Sequence, residues 1–234
     1  MIKTVLFDLD GTLLPMDMER FTKDYFSRMA AHMAPHGYDP KKLVDSIWEG
    51  TAAMVKNDGS VTNEVAFWNS FRRQFGERVD GDLPLFEAFY VTEFPKIRPS
   101  CGYDARAAEV IGVLKGKGIR CALATNPIFP EAATLHRIAW AGLDTKDFLL
   151  YTTYENSRHC KPNPAYYRDV LEAIGADPRE CLMVGNDVQE DMIARELGMQ
   201  VFLLTDCLLD RKGTDISQYP HGGFDELLAF VKAL

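Results

Sequence analysis

Five short apolar runs punctuate the chain, over residues 4–8, 119–125, 148–153, 181–185 and 200–205, and none of them alternates between polar and apolar positions. A strand with one wet face alternates, so unbroken runs predict strands covered on both faces. Around and between the later runs, apolar residues recur every three or four positions. That period predicts helices over 103–115, 130–141, 164–174, 189–197 and 225–232. Gly116-Lys117-Gly118 is a helix stop just ahead of the second run. From about residue 100 onward strand and helix therefore take turns, which predicts a doubly wound, parallel α/β sheet.

The stretch from 15 to 97 breaks this rhythm. It holds only helical periods, over 16–33, 39–56, 62–75 and 83–94. Asp39-Pro40 is a good helix start, an N-cap acid followed by proline at the first helical position, and Asn57-Asp58-Gly59-Ser60 reads as a turn. The expected organisation is a Rossmann-like sheet domain built from 1–14 and 98–234, interrupted by an all-helical unit over 15–97. The insertion leaves at the carboxyl end of the first strand, where open α/β sheets bind ligands. An element so placed is suited to act as a lid.

Composition narrows the classes of partner. A chain of 234 residues with 47% hydrophobic and 26% charged residues can bury a full core. Its formal net charge of −8 argues against nucleic acid, which needs a basic face, but leaves room for a local positive pocket. The five cysteines are scattered without a Cys-x-x-Cys pair, a usage that fits a reducing compartment. Asp8 and Asp10 interrupt the only early apolar stretch, and no run is long enough to span a membrane. The expectation is a soluble cytoplasmic protein with no membrane or nucleic-acid partner, its oligomeric state open between monomer and dimer.

Chemistry concentrates where the runs end. Asp8-Leu9-Asp10-Gly11-Thr12 follows the first run, and two acids there face partial desolvation and mutual repulsion. A hard cation such as Mg²⁺ removes that cost. At roughly one in twenty per fixed residue, Asp-x-Asp-Gly-Thr arises by chance on the order of once in a hundred thousand start positions. Later runs add Thr125-Asn126, then Lys161 in Cys160-Lys161-Pro162-Asn163-Pro164, then Gly185-Asn186-Asp187-Val188-Gln189-Glu190-Asp191. Asp187 and Asp191 stand at helical i,i+4 spacing, and Gly185 permits a close approach. The histidines show no zinc spacing, and no glycine-rich nucleotide loop is present.

In order and position these groups resemble the four motifs of the haloacid dehalogenase-like hydrolase superfamily, and the insertion resembles the C1-type helical cap of its subfamily I. The resemblance spans the whole chain. It implies a Mg²⁺-dependent phosphatase acting on a small phosphorylated molecule. Asp8 would be the nucleophile that forms an aspartyl-phosphate, and Asp10 the general acid and base. Thr125 and the Asn126 backbone N–H would bind phosphate oxygens, and Lys161 would offset charge in the transition state. Mg²⁺ would be held by Asp8, the backbone carbonyl of Asp10 and Asp187, with Thr12 and Asp191 supporting these groups from behind. The chain departs from the commoner Gly-Asp of subfamily I, carrying Gly185-Asn186-Asp187, so Asp187, Glu190 and Asp191 all stay in contention as the metal-facing acid.

Other activities share the pattern. A β-phosphoglucomutase-like mutase uses the same four motifs. Dehalogenases lack an acid where Asp10 stands and need no metal, and phosphonate hydrolases have a non-acidic residue there. A regulatory protein that kept the fold but lost turnover sits poorly with intact Asp8, Asp10, Lys161 and Asp187. The insertion residues Trp48, Lys56, Trp68, Arg72 and Arg73 are candidates to read a leaving group, but nothing in their spacing assigns one that role.

Overall fold

The computed structural model describes residues 1–234. Five strands, β1 (Thr4–Phe7), β2 (Arg120–Leu123), β3 (Cys181–Gly185), β4 (Gln200–Leu204) and β5 (His221–Gly222), form one sheet in the order β2-β1-β3-β4-β5 with every pairing parallel. Eight helices accompany it: α1 (Met18–Met33), α2 (Pro40–Val55), α3 (Asn63–Phe75), α4 (Arg78–Thr92), α5 (Ala105–Gly116), α6 (Glu131–Trp140), α7 (Pro164–Ile174) and α8 (Phe224–Ala233). Successive strand residues point to opposite faces, and both faces are dry. Val5, Phe7, Leu182, Val184 and Phe202 join one apolar cluster with α5, α6 and α8, while Leu6, Ala122, Met183 and Leu203 join another with α7. That two-sided burial is why the runs do not alternate. No helix is long and apolar enough to cross a membrane.

The sheet edges and two helices differ from the sequence expectation. Residues 148–153 run beside β2, with bonds from Leu149 N–H to the Cys121 carbonyl and from Leu123 N–H to the Leu150 carbonyl, yet form only an isolated bridge at Tyr151. The fifth strand is instead His221–Gly222, two residues with no apolar pattern to read. The expected helix over 189–197 is a turn followed by a 3-10 helix, Met192–Leu197. Asp187 Oδ1 accepts the N–H groups of Gln189 and Glu190, a local turn that competes with regular α-helix. Helix α4 starts five residues upstream of the expected 83, at Arg78, because Val79 packs on the same buried side as Phe86 and Phe89; Pro84 lies inside it.

Between β1 and β2 come α1 to α4. Their starts follow local rules: Asp17, Asp39 and Thr62 accept backbone N–H groups of the first turns of α1, α2 and α3, and Pro40 opens α2. Aromatic rings join these helices to the sheet unit. Phe21 and Tyr25 meet Phe129 edge-on at 6.2 and 5.5 Å between centroids, and Phe94 stacks on Trp140 at 5.4 Å. A second junction is polar. The buried Asn63 amide reaches the carbonyls of Pro127 and His159, both at 3.3 Å, and accepts from Asn57.

Candidate active site

The strand order reverses direction around β1, which opens a crevice at its carboxyl end. Asp8 is the first residue beyond β1 and is pinned there by its N–H bond to the Val184 carbonyl, 2.9 Å. Its carboxylate meets Lys161 Nζ at 2.9 Å through Oδ1 and the Thr12 hydroxyl at 3.2 Å through Oδ2. Thr12 also lies 3.0 Å from Asn186 Oδ1 and, having one proton, donates to either acceptor in turn. Gly11 has φ +86°, and a Cβ there would fall 2.3 Å from Asn186 Nδ2, so the turn after Asp10 demands glycine.

Lys161 arrives on the loop before α7 and is almost fully buried. Besides Asp8 it donates to Asp191 Oδ1 at 2.7 Å. Burial works against its charge, but Asp191 and Asp8 more than offset this and hold the ammonium well above the ordinary lysine range. Burial raises the Asp191 carboxyl above the usual carboxylate range, against the pull of Lys161. Asp191 Oδ2 accepts the Asp187 N–H, and a Cβ on Gly185 would lie 2.1 Å from that same oxygen. The glycine therefore exists to let Asp191 reach Lys161, and Asp191 is a partner of the lysine.

The ends of β2 and β3 complete the rim. The Thr125 carbonyl is anchored by the hydroxyls of Thr152 (2.6 Å) and Tyr166 (2.8 Å). The Asn126 side chain accepts the Lys161 N–H at 3.3 Å and donates to Glu190 at 3.0 Å, tying three loops together. Asp187 is buried, with Oδ1 on the Gln189 and Glu190 N–H groups and Oδ2 at 2.7 Å from Arg211. His159, on the loop before Lys161, is mostly covered, pairs with Asp169 at 2.7 Å and packs over Gly59.

Two basic residues at the site escaped the sequence reading. Arg137 of α6 is 1% exposed and pairs with Asp10 Oδ2. Its Nε donates to the Ala133 carbonyl and its Nη2 to the Thr134 hydroxyl, and its guanidinium lies 4.6 Å over the Phe129 ring. A signal was present: Arg137 falls i+4 from Ala133 on the buried stripe of α6, where a charge is out of place. Arg211 had none, since it lies in an irregular loop after β4. Asp10 Oδ1 is buried without any hydrogen-bond partner. Burial raises the Asp10 carboxyl above its usual range, against the lowering pull of Arg137.

No three His, Cys, Asp or Glu side chains converge into a cage. Two carboxylates, Asp8 and Asp187, stand just beyond the paired strands β1 and β3. Hard oxygens of this kind suit Mg²⁺, and the residues fit that ion. Arg211, which takes Asp187 Oδ2, is 59% exposed. Beside the site lies a partly open cavity of about 130 Å³, lined mostly by hydrophobic side chains, among them Phe21, Phe67, Trp68 and Phe129. Phe129 thus has the cavity at one side and the Arg137–Asp10 pair at the other.

A family model for haloacid dehalogenase-like hydrolases matches residues 2–198. The chain belongs to that family. Among its relatives, the phosphoglycolate phosphatase of Agrobacterium fabrum is 27% identical over 195 residues, covering 81% of this chain and 75% of that one. The pyrophosphatase PpaX of Bacillus pumilus is 24% identical over 202 residues, covering 84% and 80%. The fold recurs in a haloacid dehalogenase-type phosphatase from Thermococcus onnurineus (TM-score 0.60, 19% identity, 98% of each chain) and in 2-haloacid dehalogenase from Pseudomonas syringae (0.63, 18%, 100% and 99%). A haloacid dehalogenase-like hydrolase with a parallel five-stranded sheet and an inserted set of helices is the established frame, and the chain is an enzyme of that class.

Proposed function

We propose that the chain is a Mg²⁺-dependent phosphatase that hydrolyses a small-molecule phosphate monoester through an aspartyl-phosphate on Asp8. The observation that carries this reading is the buried Asp8–Lys161–Asp191 chain of contacts at the end of β1, with a second acid, Asp10, two residues on. Mg²⁺, held by Asp8, the Asp10 carbonyl and Asp187, would neutralise charge on the phosphoryl oxygens. The Asp8 carboxylate attacks phosphorus, and the bond to the leaving oxygen breaks as that oxygen takes a proton from Asp10. Water then attacks the phosphorus of the aspartyl-phosphate, gives its proton back to Asp10 and releases Asp8. Lys161 and the Thr125–Asn126 turn bind the non-bridging oxygens, so charge that builds up in flight meets fixed donors.

The apolar cavity supports a leaving group with an apolar, ring-sized body. Phosphoglycolate and pyrophosphate, which name two of the relatives, carry charged bodies that such a lining does not match. The test is a metabolite and model-phosphate panel with purified protein and Mg²⁺. Expected is phosphate release that favours aryl over sugar, nucleotide and glycolate esters, stops in chelator and is abolished by Asp8→Asn. Absence of release from every member refutes the phosphatase reading. Isomerisation of a sugar phosphate dependent on a bisphosphate activator replaces it with a mutase.

A further inference from the structure

We infer that Arg137 is a positioning residue for Asp10, fixing which carboxylate oxygen moves the proton; this rests on the phosphatase reading above. Three contacts immobilise the guanidinium: the Ala133 carbonyl on Nε, the Thr134 hydroxyl on Nη2 and Asp10 Oδ2 on Nη1. The Phe129 ring supports its flat face. An arginine this constrained holds one geometry, and it holds one oxygen of Asp10. The other oxygen, Oδ1, is buried and has no partner in the chain. Buried polar atoms are nearly always satisfied, so an orphan beside a reaction centre marks a place for a transient partner. Oδ1 is thus the oxygen that gives its proton to the leaving oxygen and later takes one from water.

An arginine kept only for structure has a poor rationale here. Replacing a buried ion pair by apolar residues is often neutral or stabilising, and the α6 stripe around Arg137 is otherwise Ala133, Thr134, Ile138 and Trp140. Lysine at 137 would keep the charge but cannot reproduce the planar fork, so it loosens Asp10 without removing its counter-ion.

The test compares two probes that need the proton of Asp10 to different extents. With p-nitrophenyl phosphate the leaving group departs as an anion, so the burst of nitrophenolate reports attack by Asp8 alone; glycerol 2-phosphate needs a protonated leaving oxygen. For Arg137→Lys the expected result is a kcat on glycerol 2-phosphate lowered at least about tenfold with KM within about twofold, and a nitrophenolate burst rate within about twofold of wild type. Thr134→Val, which frees Nη2 and leaves the charge, is the second variant. It should lower the glycerol 2-phosphate kcat by at least about threefold, again sparing the burst. Equal loss on both probes, or a loss confined to KM, overturns the positioning role while leaving the phosphatase reading intact. If Arg137→Lys does not fold, the Thr134→Val pair of measurements decides alone. Wild-type turnover of neither probe overturns the positioning role, and only silence across the whole metabolite panel overturns the phosphatase reading as well.

Discussion

Replacing Lys161 by methionine removes the one cation that two buried carboxylates share. The ammonium stands 2.9 Å from Asp8 Oδ1 and 2.7 Å from Asp191 Oδ1, with the lysine side chain 1% exposed. Methionine keeps most of the stem's volume, so packing changes little and the perturbation is electrostatic. Deleting one member of a buried ion pair costs about 3–5 kcal/mol, because the partner is left charged and dry. For a chain of this length each kcal/mol moves Tm by about 2–4 °C, so the fall should be about 6–20 °C.

The origin of that loss is separable from simple cavity formation. Adding Asp191→Asn to Lys161→Met deletes one stranded charge, so the double variant should melt above Lys161→Met alone, with a coupling on the order of 1–3 kcal/mol. Burial already lifts Asp191 above the usual carboxylate range, and without Lys161 it rises further. An acid raised in the folded state penalises folding above its folded pKa and is relieved as pH falls through it. The Lys161→Met defect should therefore be largest in alkaline buffer and shrink toward about pH 4. Calorimetry in metal-free buffer reads all of this. A Tm within about 2 °C of wild type in alkaline buffer, or a double variant as unstable as the sum of the singles, refutes the argument.

Asn63→Ala should destabilise by about 1–3 kcal/mol, since it strips partners from the buried carbonyls of Pro127 and His159, and should speed amide exchange at 57–63 and 157–160; unchanged exchange there would count against the polar junction. The Arg179 guanidinium holds the Asp177 carboxyl at about 2. Being depressed in the folded state, Asp177 contributes stability that is present above about pH 4 and lost as pH falls toward about 2. Asp177→Asn should flatten the acid limb of a circular-dichroism titration, and an identical limb would refute that assignment.

Most of the candidate site was legible because parallel strands put their ends on one rim. Asp8 follows β1 directly, and Thr125 and Asp187 are the second residues beyond β2 and β3, so recognising the strands was enough to bring these residues together. Gly185 was legible as a point of close approach without the Asp191 carboxylate that approaches it, and Gly11 answers to the Asn186 amide, a contact far along the chain that no local pattern carries. The failures share that cause. Residues 148–153 look like a strand because they are apolar and extended, yet a lone bridge at a sheet edge differs from a strand only in its partners. Arg137 sits 127 residues from Asp10 in sequence, so its charge could be marked as misplaced but its partner could not be named.

The placement of buried charge separates a working site from a fold that merely tolerates polar residues. Among the charged side chains of the chain, the buried ones are Asp8, Arg137, Lys161, Asp187 and Asp191. All five meet at the carboxyl end of the sheet, directly or through Asp10, while pairs such as Lys41–Asp45 and Arg179–Asp177 lie on the surface. Taking a charge out of water costs several kcal/mol even after relaxation, and apolar side chains of similar volume would fill the same space without that cost. Folding alone would disperse such a cost or remove it. Its concentration at the crevice where a parallel sheet binds ligands, with one carboxylate oxygen still lacking a partner, is what a preorganised reaction centre requires.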